Sequence, residues 1–351
     1  MKNDATRAPS LAMHEMAPHR RNTSILYPII FVGLLIISRY LFPSKMTLLI
    51  EVGIFAIYVM GNNVLMGYLG LVSFGQPFYL SAGAYSAALY LAHIGHNIYI
   101  AMGLSLVTGV LLSLIFGPSF IRLRSSYFTL INASLCAMGV FLFEKILIGI
   151  TNGNDGLWYR KNMHPTPILN LRSTPDFFIF TMIVLFIFLL LYRQLDRSAL
   201  GAIFRGTRIN ERKMEFIGFN TFKVRWLGFT LASVMSCFAG SLYAINLAFV
   251  NPSLGENSRA IEVVVATLIG GVGTLYGGLF GALGFLGIKD IVSNFVSRWE
   301  LIVGIITLLV LFRMSGGLWG FVSSITDKIS RKRTKRLAQI EASTDTLKRG
   351  K

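Results

Sequence analysis

The chain offers few sets of side chains whose types and spacing could perform catalysis. It has no Gly-x-x-x-x-Gly-Lys-Ser/Thr phosphate-binding loop, no Gly-x-Ser-x-Gly nucleophile motif and no clustered pair of carboxylates. His93 and His96 have His-x-x-His spacing, but no cysteine or acidic residue stands beside them. Cys136 and Cys237 lie in apolar segments and are expected to pack as small side chains. The sequence therefore predicts no enzyme active site, no cofactor and no metal centre.

The composition indicates a membrane protein. Of the 351 residues, 54% are hydrophobic and only 14% are charged, whereas soluble domains carry about 25% charged residues. The formal net charge of +17 comes from clusters near the N-terminus, within 193–225 and after residue 327, separated by long uncharged runs. This placement indicates orientation in a membrane and contact with anionic lipid headgroups, and it does not indicate a nucleic-acid partner.

Ten apolar segments are candidates for membrane crossing. They are residues 24–42, 47–66, 71–92, 98–120, 126–150, 176–192, 226–247, 260–276, 278–296 and 300–314. We therefore predict an all-α polytopic integral membrane protein with about ten transmembrane helices, or eight to ten because several segments are short or broken. With the N-terminus inside, 24 of the 33 Lys and Arg residues fall on the inner side and six on the outer side. This bias predicts that both termini are cytoplasmic.

The same pattern divides the chain into five parts. They are a cytoplasmic N-terminal segment (1–23), a first set of transmembrane helices (24–192), a cytoplasmic coupling segment (193–225), a second set of helices (226–320) and a basic cytoplasmic tail (321–351). The coupling segment holds eight Lys and Arg residues between two hydrophobic spans. An amphipathic element gripped by a partner and a solvated loop that follows the positive-inside rule are both consistent with it.

Two segments rich in glycine and small residues, 61–85 and 268–284, lie at loosely corresponding places in the two halves of the chain. The first also contains Pro77 and several polar residues. Paired broken helices are typical of a transport site near the bilayer midplane, because broken backbone is tolerated there only when protein or a water cavity shields it. Close helix packing through small residues is the alternative.

Charged residues inside or near the apolar spans are few. They are Glu51, Glu144, Lys145, Glu262, Lys289 and Asp290. Glu144 with Lys145, and Lys289 with Asp290, form adjacent pairs of opposite charge, and Glu51 and Glu262 lie near the predicted outer ends of their helices. We interpret all six as anchors near the membrane interface rather than as a site for ion coupling.

Five motifs, taken in order, resemble those of a known family. They are the glycine-rich stretch 67–76 followed by Ser-Ala-Gly-Ala-Tyr at 81–85, Leu-Arg-Ser-Ser-Tyr-Phe at 123–128, Thr-Asn-Gly-Asn-Asp-Gly-Leu at 151–157, the stretch from Ser-Ala-Leu-Gly-Ala-Ile-Phe-Arg at 198–205 to Ile-Gly-Phe-Asn at 217–220, and Gly-Gly-Val-Gly-Thr-Leu-Tyr-Gly at 270–277. In these motifs the chain resembles the membrane permease subunits of bacterial ABC importers of the branched-chain amino acid type (LivM-like), of which urea-type permeases are close relatives.

The resemblance implies a permease of the bacterial inner membrane that works by alternating access. Its implied partners are ATP-binding subunits, a second related permease subunit, an extracytoplasmic solute-binding protein and a small-molecule substrate. Residues 201–220 would form one coupling helix that docks on the ATP-binding subunit, with Met214 and Ile217 facing the membrane domain. The expected coupling residues are Gly201, Arg205, Arg208, Asn210, Glu211, Arg212 and Gly218, of which the two glycines would bracket the helix.

The expected translocation path combines the two glycine-rich segments. Its residues are Asn62, Asn63, Ser73, Gln76, Tyr79, Ser81 and Tyr85, with Gly270, Gly271 and Gly273 opposite. A urea or short-amide permease of the same family remains an alternative. From other classes, an ion-coupled secondary transporter, a membrane scaffold and, least favoured, a membrane enzyme also remain. A secondary transporter would not need the coupling segment.

Overall fold

The computed structural model describes residues 45–123, 125–163, 170–295, 299–313 and 316–323, together with the single residues 29, 33 and 37. Its α-helices in chain order are α1 (Met46–Asn63), α2 (Gln76–Leu89), α3 (Ile98–Phe120), α4 (Ser125–Phe141), α5 (Ile148–Thr151), α6 (Thr174–Arg197), α7 (Ala199–Ile209), α8 (Glu211–Phe216), α9 (Thr221–Leu247), α10 (Asn257–Gly270), α11 (Gly277–Ser293) and α12 (Trp299–Arg313). Short π-helical turns extend α1, α2 and α4, over Val64–Leu69, Tyr90–Ile94 and Leu142–Ile146 respectively.

Polar side chains cap the starts of several helices. The side-chain oxygens of Asn97, Ser173, Ser198, Asn210 and Asn220 accept hydrogen bonds from backbone N–H groups in the first turns of α3, α6, α7, α8 and α9. These N–H groups have no partner within their own helix, so a capping oxygen fixes where each helix begins. Short polar residues between apolar runs therefore set the helix boundaries.

The core of the bundle is built around α9, which packs against α1, α2 and α3. Glycines allow the backbones to approach closely. A Cβ atom added at Gly240 would lie 1.9 Å from the carbonyl oxygen of Leu80, and one at Gly83 would lie 2.0 Å from that of Cys237. Large aromatic side chains, among them Tyr79 and Phe229, fill the buried space around this contact. Small residues thus set the helix spacing in a membrane bundle, where water does not drive association.

The fold class predicted from the sequence is confirmed, since helices account for nearly all regular structure in the described residues. Five of these helices are long and apolar enough to cross a bilayer: Met46–Leu69, Ile98–Phe120, Ser126–Ile146, Thr174–Arg197 and Thr221–Leu247. The predicted spans 71–92, 260–276, 278–296 and 300–314 correspond to the shorter helices α2, α10, α11 and α12. The predicted span 24–42 lies outside the described residues, apart from three positions, and ten crossings stay a prediction.

A two-stranded antiparallel ladder, which the sequence did not indicate, lies at one end of the bundle. Leu157 pairs with Val250 and Trp158 with Phe249, and the two aromatic rings of the second pair lie 4.3 Å apart between centroids. The hydroxyl of the neighbouring Tyr159 donates to the carbonyl oxygen of Ala244 at 2.6 Å. Burial raises the pKa of this hydroxyl above its ordinary range, so it remains a donor. We call this the predicted outer end and the opposite end the predicted cytoplasmic end.

We predict that Gly240→Ala lowers the midpoint of thermal unfolding in detergent. The added methyl group would overlap the Leu80 carbonyl, and such overpacking costs about 1–3 kcal/mol. Gly103→Ala in α3 is the matched control, because Gly103 is exposed and a Cβ there meets nothing within 4 Å. It should leave the midpoint unchanged or raise it, since alanine favours helix more than glycine does. Equal losses in both variants would contradict the packing role of Gly240.

Candidate functional site: two glycine-rich breaks and a basic helix pair

The first glycine-rich segment contains a true helix break. The π-helical turn Val64–Leu69 ends at Gly70, whose φ of +73° is in the left-handed region that glycine adopts without strain. Residues 71–75 are not helical, and α2 begins at Gln76 with Pro77 in its first turn. Proline is tolerated there because the N–H it lacks would have no helical partner. The break lies where the sequence predicts one.

Side chains of α4 donate hydrogen bonds to backbone carbonyls of this break. The hydroxyl of Thr129 donates to the carbonyl oxygen of Val72 at 2.8 Å, and the thiol of Cys136 donates to that of Phe74 at 3.1 Å. Asn132 lies directly against Gly75. These contacts supply the protein shielding without which a broken helix is not tolerated in a bilayer.

Two buried amides beside the break each leave one polar atom without a hydrogen-bond partner among the described residues. Ser236 in α9 donates to Oε1 of Gln76, which leaves Nε2 unpartnered. Asn132 donates from Nδ2 to the carbonyl oxygen of Phe128 at 2.8 Å, which leaves Oδ1 unpartnered. Because an unpaired buried polar group costs about 1–3 kcal/mol, this donor and this acceptor would bind a polar solute that reached them.

The other polar residues predicted along α2 are spread over more than one turn. Ser73 accepts a hydrogen bond from the backbone N–H of Gly75 at 3.2 Å, and Ser81 donates to the carbonyl oxygen of Phe78 at 2.9 Å. The hydroxyls of Tyr79 and Tyr85 are buried and unpartnered within the described residues. The ring of Tyr85 stacks on Phe143 with centroids 4.2 Å apart. The structure therefore brings Ser73, Gln76 and Tyr79 to the break and leaves Ser81 and Tyr85 farther along α2.

Asn62 and Asn63 join the first glycine-rich segment to the second. Asn62 donates from Nδ2 to the hydroxyl of Thr267 at 2.8 Å. Asn63 donates to the carbonyl oxygen of Thr274 at 3.0 Å and accepts from the backbone N–H of Gly273 at 2.8 Å. Both asparagines are fully buried. They hold α1 against the turn between α10 and α11.

Glycine is required at several positions of that turn. Gly271 and Gly273 have φ values of +114° and +72°. A Cβ atom at Gly270 would lie 1.8 Å from the carbonyl oxygen of Gly277, and one at Gly67 would lie 2.4 Å from the backbone nitrogen of Gly273. The two glycine-rich segments are thus in backbone contact with each other, through Gly67 and Gly273.

The basic coupling segment forms two helices, α7 and α8, which we call the basic helix pair. The expectation of a single helix over 201–220 is wrong, because Asn210 is extended and its side chain caps α8 by accepting from the backbone N–H of Lys213 at 3.0 Å. Gly201 does not end a helix; it lies in the first turn of α7, where a Cβ would lie 2.3 Å from the Leu195 carbonyl oxygen. Gly218, with a φ of +97°, follows the end of α8.

Two arginines of α7 bond back onto the bundle. Arg205 donates to a carboxylate oxygen of Asp196 at 2.6 Å, and the hydroxyl of Tyr68 donates to the same oxygen at 2.6 Å. The guanidinium of Arg205 also lies 5.4 Å from the centre of the Tyr68 ring. Arg208 donates to the carbonyl oxygen of Gly67, next to Gly273. The basic helix pair is therefore bonded to the first glycine-rich segment, which in turn contacts the second through Gly67 and Gly273.

The remaining surface of the basic helix pair includes exposed apolar side chains. Ile209, Phe216 and Ile217 are 83%, 90% and 70% exposed. Ile217 was expected to face the membrane helices, and the structure contradicts this because Ile217 follows the last turn of α8 and lies at its tip. Met214, which was also expected to face the membrane helices, places its sulfur against Gly206 of α7, within the helix pair itself.

The other charged residues of the pair differ in how they are bonded. Glu211 forms an ion pair with Arg225 at 3.0 Å, and Glu215 accepts from the hydroxyl of Thr221 at 2.7 Å. Arg212 and Lys213 are exposed. The acidic residues therefore fasten α8 to the start of α9, while Arg212 and Lys213 remain on the surface beside the apolar tip.

Charges near the predicted outer end do not all pair with their neighbours in sequence. Lys289 bonds Glu262 at 2.9 Å rather than Asp290, and Asp290 instead bonds Lys45 at 2.7 Å. Adjacent residues on a helix point about 100° apart, so opposite charges at neighbouring positions often find partners on other helices instead. Glu144 and Lys145, by contrast, do pair, at 3.2 Å.

Four functional candidates were missed by reasoning from the sequence: Tyr68, Asn132, Ser236 and Asp196. Asp196 carried the clearest signal, since it is an acidic residue at the end of a long apolar run with Arg205 nine positions away. Asn132 and Ser236 are single polar residues inside apolar helices, and no local pattern says which neighbour each one meets.

Comparison with known proteins places the chain among transport permeases. A family model described as branched-chain amino acid transport system / permease component matches residues 45–312. The permease protein LivM of the high-affinity branched-chain amino acid transport system of Salmonella typhimurium is 22% identical over 294 residues, which cover 75% of this chain and 67% of that protein.

Two other relatives differ in what their names say they transport. BraD, a branched-chain amino acid permease of Pseudomonas aeruginosa, is 22% identical over 289 residues, covering 75% of this chain and 90% of BraD. NupC, a nucleoside ABC transporter permease of Lactococcus lactis, is 23% identical over 267 residues, covering 68% of this chain and 83% of NupC. No solved structure matches the chain.

Proposed function

Because the chain belongs to the family of permease components of branched-chain amino acid transport systems, we propose that it is the membrane subunit of an ABC importer for branched-chain or other small amino acids. Separate ATP-binding subunits hydrolyse ATP, a second related permease completes the membrane domain, and an extracytoplasmic solute-binding protein delivers the substrate. The chain lies in the bacterial inner membrane with both termini in the cytoplasm.

The observation that carries the coupling mechanism is the attachment of the basic helix pair to the first glycine-rich segment at the point where it contacts the second. Arg208 bonds the carbonyl of Gly67, and Gly67 touches Gly273. Arg205 and Tyr68 share one carboxylate oxygen of Asp196. A displacement of the helix pair therefore acts on both breaks together. Helix breaks can hinge, whereas intact helices move as rigid bodies, so this attachment suits alternating access.

The docking surface on the helix pair is its apolar tip. Ile209, Phe216 and Ile217 are the exposed apolar residues, and Arg212 and Lys213 are exposed beside them. An apolar centre with a charged rim is the usual anatomy of a protein interface. We assign this surface to the ATP-binding subunit, because the tip projects from the predicted cytoplasmic end. In this account Arg205 and Arg208 transmit the movement and do not make the docking contact.

The translocation path passes the break between Gly70 and Gln76. Nε2 of Gln76 and Oδ1 of Asn132 are a donor and an acceptor with no partner among the described residues, and both side chains are fully buried. The site is closed in this conformation. A polar solute that enters after the helices separate would satisfy both atoms and relieve their desolvation cost.

We predict that Phe216→Glu abolishes co-purification of the ATP-binding subunit, because a charge at the centre of an apolar interface is desolvated without a partner. Co-expression and affinity purification in mild detergent measure the ratio of the two subunits. Ile94→Glu is the matched control, since Ile94 is 77% exposed but lies at the opposite end of the bundle. Equal recovery of the ATP-binding subunit with both variants would contradict the docking assignment.

We also predict that Gln76→Leu lowers substrate uptake by the assembled transporter without lowering its recovery from the membrane. Leucine removes the donor Nε2 and leaves Ser236 without its acceptor, so the path loses a polar contact. Ser134→Ala is the control, because Ser134 is exposed on α4 and bonds only within its own helix at Leu130. If uptake by Gln76→Leu matches uptake by Ser134→Ala, the path does not pass Gln76.

A further inference from the structure

A cluster of four charged side chains lies near the predicted outer end, on α1, α10 and α11. Glu262 accepts from Arg259 at 3.0 Å and from Lys289 at 2.9 Å. Glu51 lies close enough to Arg259 and Lys289 for electrostatic interaction with both. These charges are partly buried, and the side chains of Arg259, Glu262 and Lys289 are only 31%, 15% and 27% exposed. Interface anchors would reach into water, so this cluster calls for another explanation.

Two cavities meet at this cluster. A groove of about 470 Å³ opens between α10, α11 and α12, and a smaller cavity of about 30 Å³ lies between α1, α9 and α10. Arg259 and Glu262 line both of them. The Arg259–Glu262 ion pair therefore forms the partition between an open groove and an inner cavity.

The groove combines apolar and charged walls. Its charged lining consists of Arg259, Lys289, Glu256, Glu262 and Glu300. Its apolar part is formed by Val265, Phe285, Trp299 and Val303, of which Phe285 and Val303 are buried. The ammonium group of Lys289 lies 4.6 Å from the centre of the Trp299 ring and borders this apolar part. Concave sites of this kind, mostly apolar with a few convergent polar groups, are typical of small-molecule binding.

The inner cavity leads towards the helix core. It is lined by Glu51, Tyr58 and Leu80, and the buried hydroxyl of Tyr58 has no partner among the described residues. Leu80 follows Tyr79 on α2, the helix that begins at the break. A solute that passed the Arg259–Glu262 pair would thus arrive beside the expected translocation path.

We propose that the groove is an entry site for a zwitterionic α-amino acid and that the Arg259–Glu262 pair is its gate. The carboxylate of the amino acid binds Lys289 and Arg259, its ammonium binds Glu262, and its apolar side chain lies against Phe285 and Val303. The inference rests on the proposed importer function and adds the place where the substrate enters the chain.

The chemistry of the ion pair explains why this ligand opens the gate. Separating two partly buried charges is costly when either one loses its partner. A zwitterion brings one charge of each sign, so it replaces both partners at once. Its charge-assisted hydrogen bonds are of the same type as those that Arg259 and Glu262 make with each other. A nucleoside brings neither charge, and a simple amine or carboxylate replaces only one partner.

Cysteine protection in the assembled transporter tests this site without depending on ATP. Ile261→Cys places a thiol in the groove at a position that is 57% exposed, while the native Cys136 and Cys237 are buried. The complex in lipid nanodiscs is treated with a charged thiol reagent, alone or with L-leucine, isoamylamine or isovalerate. At a leucine concentration of twice its dissociation constant, labelling should slow about threefold, and neither single-charge analogue should match that effect.

Further variants test whether protection by leucine depends on the charge of Lys289. Lys289→Gln in the Ile261→Cys background should abolish protection by leucine, and Lys289→Arg should retain it. Asp290→Asn is the matched control, because Asp290 is the next residue on α11 but pairs with Lys45 and lines neither cavity. Size-exclusion profiles identify any variant that fails to assemble. If the Lys289→Gln variant fails to assemble, the deciding result is the comparison of leucine with its two analogues in the Ile261→Cys transporter.

Three outcomes would overturn the entry site. They are labelling unaffected by leucine, equal protection by isovalerate or isoamylamine, and labelling that changes with the phosphatidylethanolamine content of the nanodisc but not with leucine. The last would assign the groove to a lipid headgroup. Protection by leucine in a complex whose uptake needs no ATP would instead overturn the importer function and keep the site.

Discussion

The hydrogen bonding of the broken backbone between Gly70 and Gln76 is the constraint on which the rest of this molecule depends. Within a bilayer, each unpaired carbonyl or amide costs several kcal/mol, so a break survives only where the protein supplies partners. Thr129 and Cys136 bond the carbonyls of the break from α4. Arg208 bonds the carbonyl of Gly67 just before it. The position of α4 and that of the basic helix pair therefore follow from the same requirement.

This arrangement connects the two ends of the bundle. At the predicted cytoplasmic end, Arg205 and Arg208 bond the helix pair to Asp196 and to the Gly67 carbonyl. Asn63, near Gly67 in the chain, accepts a hydrogen bond from the backbone N–H of Gly273 in the second glycine-rich segment. At the predicted outer end, four charges meet beside an open groove. Between them lie the unpartnered amide atoms of Gln76 and Asn132. We infer that entry, passage and energy coupling occupy three separate places joined by α1, α2 and α10.

Much of the fold could be predicted from the sequence because its signals are local. A long apolar run predicts a membrane helix, the glycine-rich segment 61–85 with Pro77 predicts a break, and the length of the polar stretch 193–225 predicts an element outside the membrane. The split of the basic segment was also signalled, since Asn210 followed by Glu211 is a typical helix start. The expected single helix over 201–220 does not form, because the Asn210 side chain caps a new helix.

The site residues were harder to predict because their roles depend on tertiary contacts. The family resemblance implied that Arg205 and Arg208 make docking contacts, yet their partners, Asp196 and the Gly67 carbonyl, lie on other elements of the bundle. Lys289 and Asp290 are neighbours in sequence but point to different sides of α11. Helical geometry disfavours their pairing, but only the packing of α10 and the start of α1 against α11 identifies their partners as Glu262 and Lys45.

The central claim is that ATP-driven movement reaches the helix break through Arg208. The most direct test is to measure ATP hydrolysis and substrate uptake in the same proteoliposomes, with the complete transporter carrying Arg208→Met and with Lys223→Met, an exposed charge on α9, as control. The account predicts that Arg208→Met hydrolyses ATP but transports little, while the control does both. Uptake by Arg208→Met at the rate of the control, or uptake driven by an ion gradient without ATP, would contradict it.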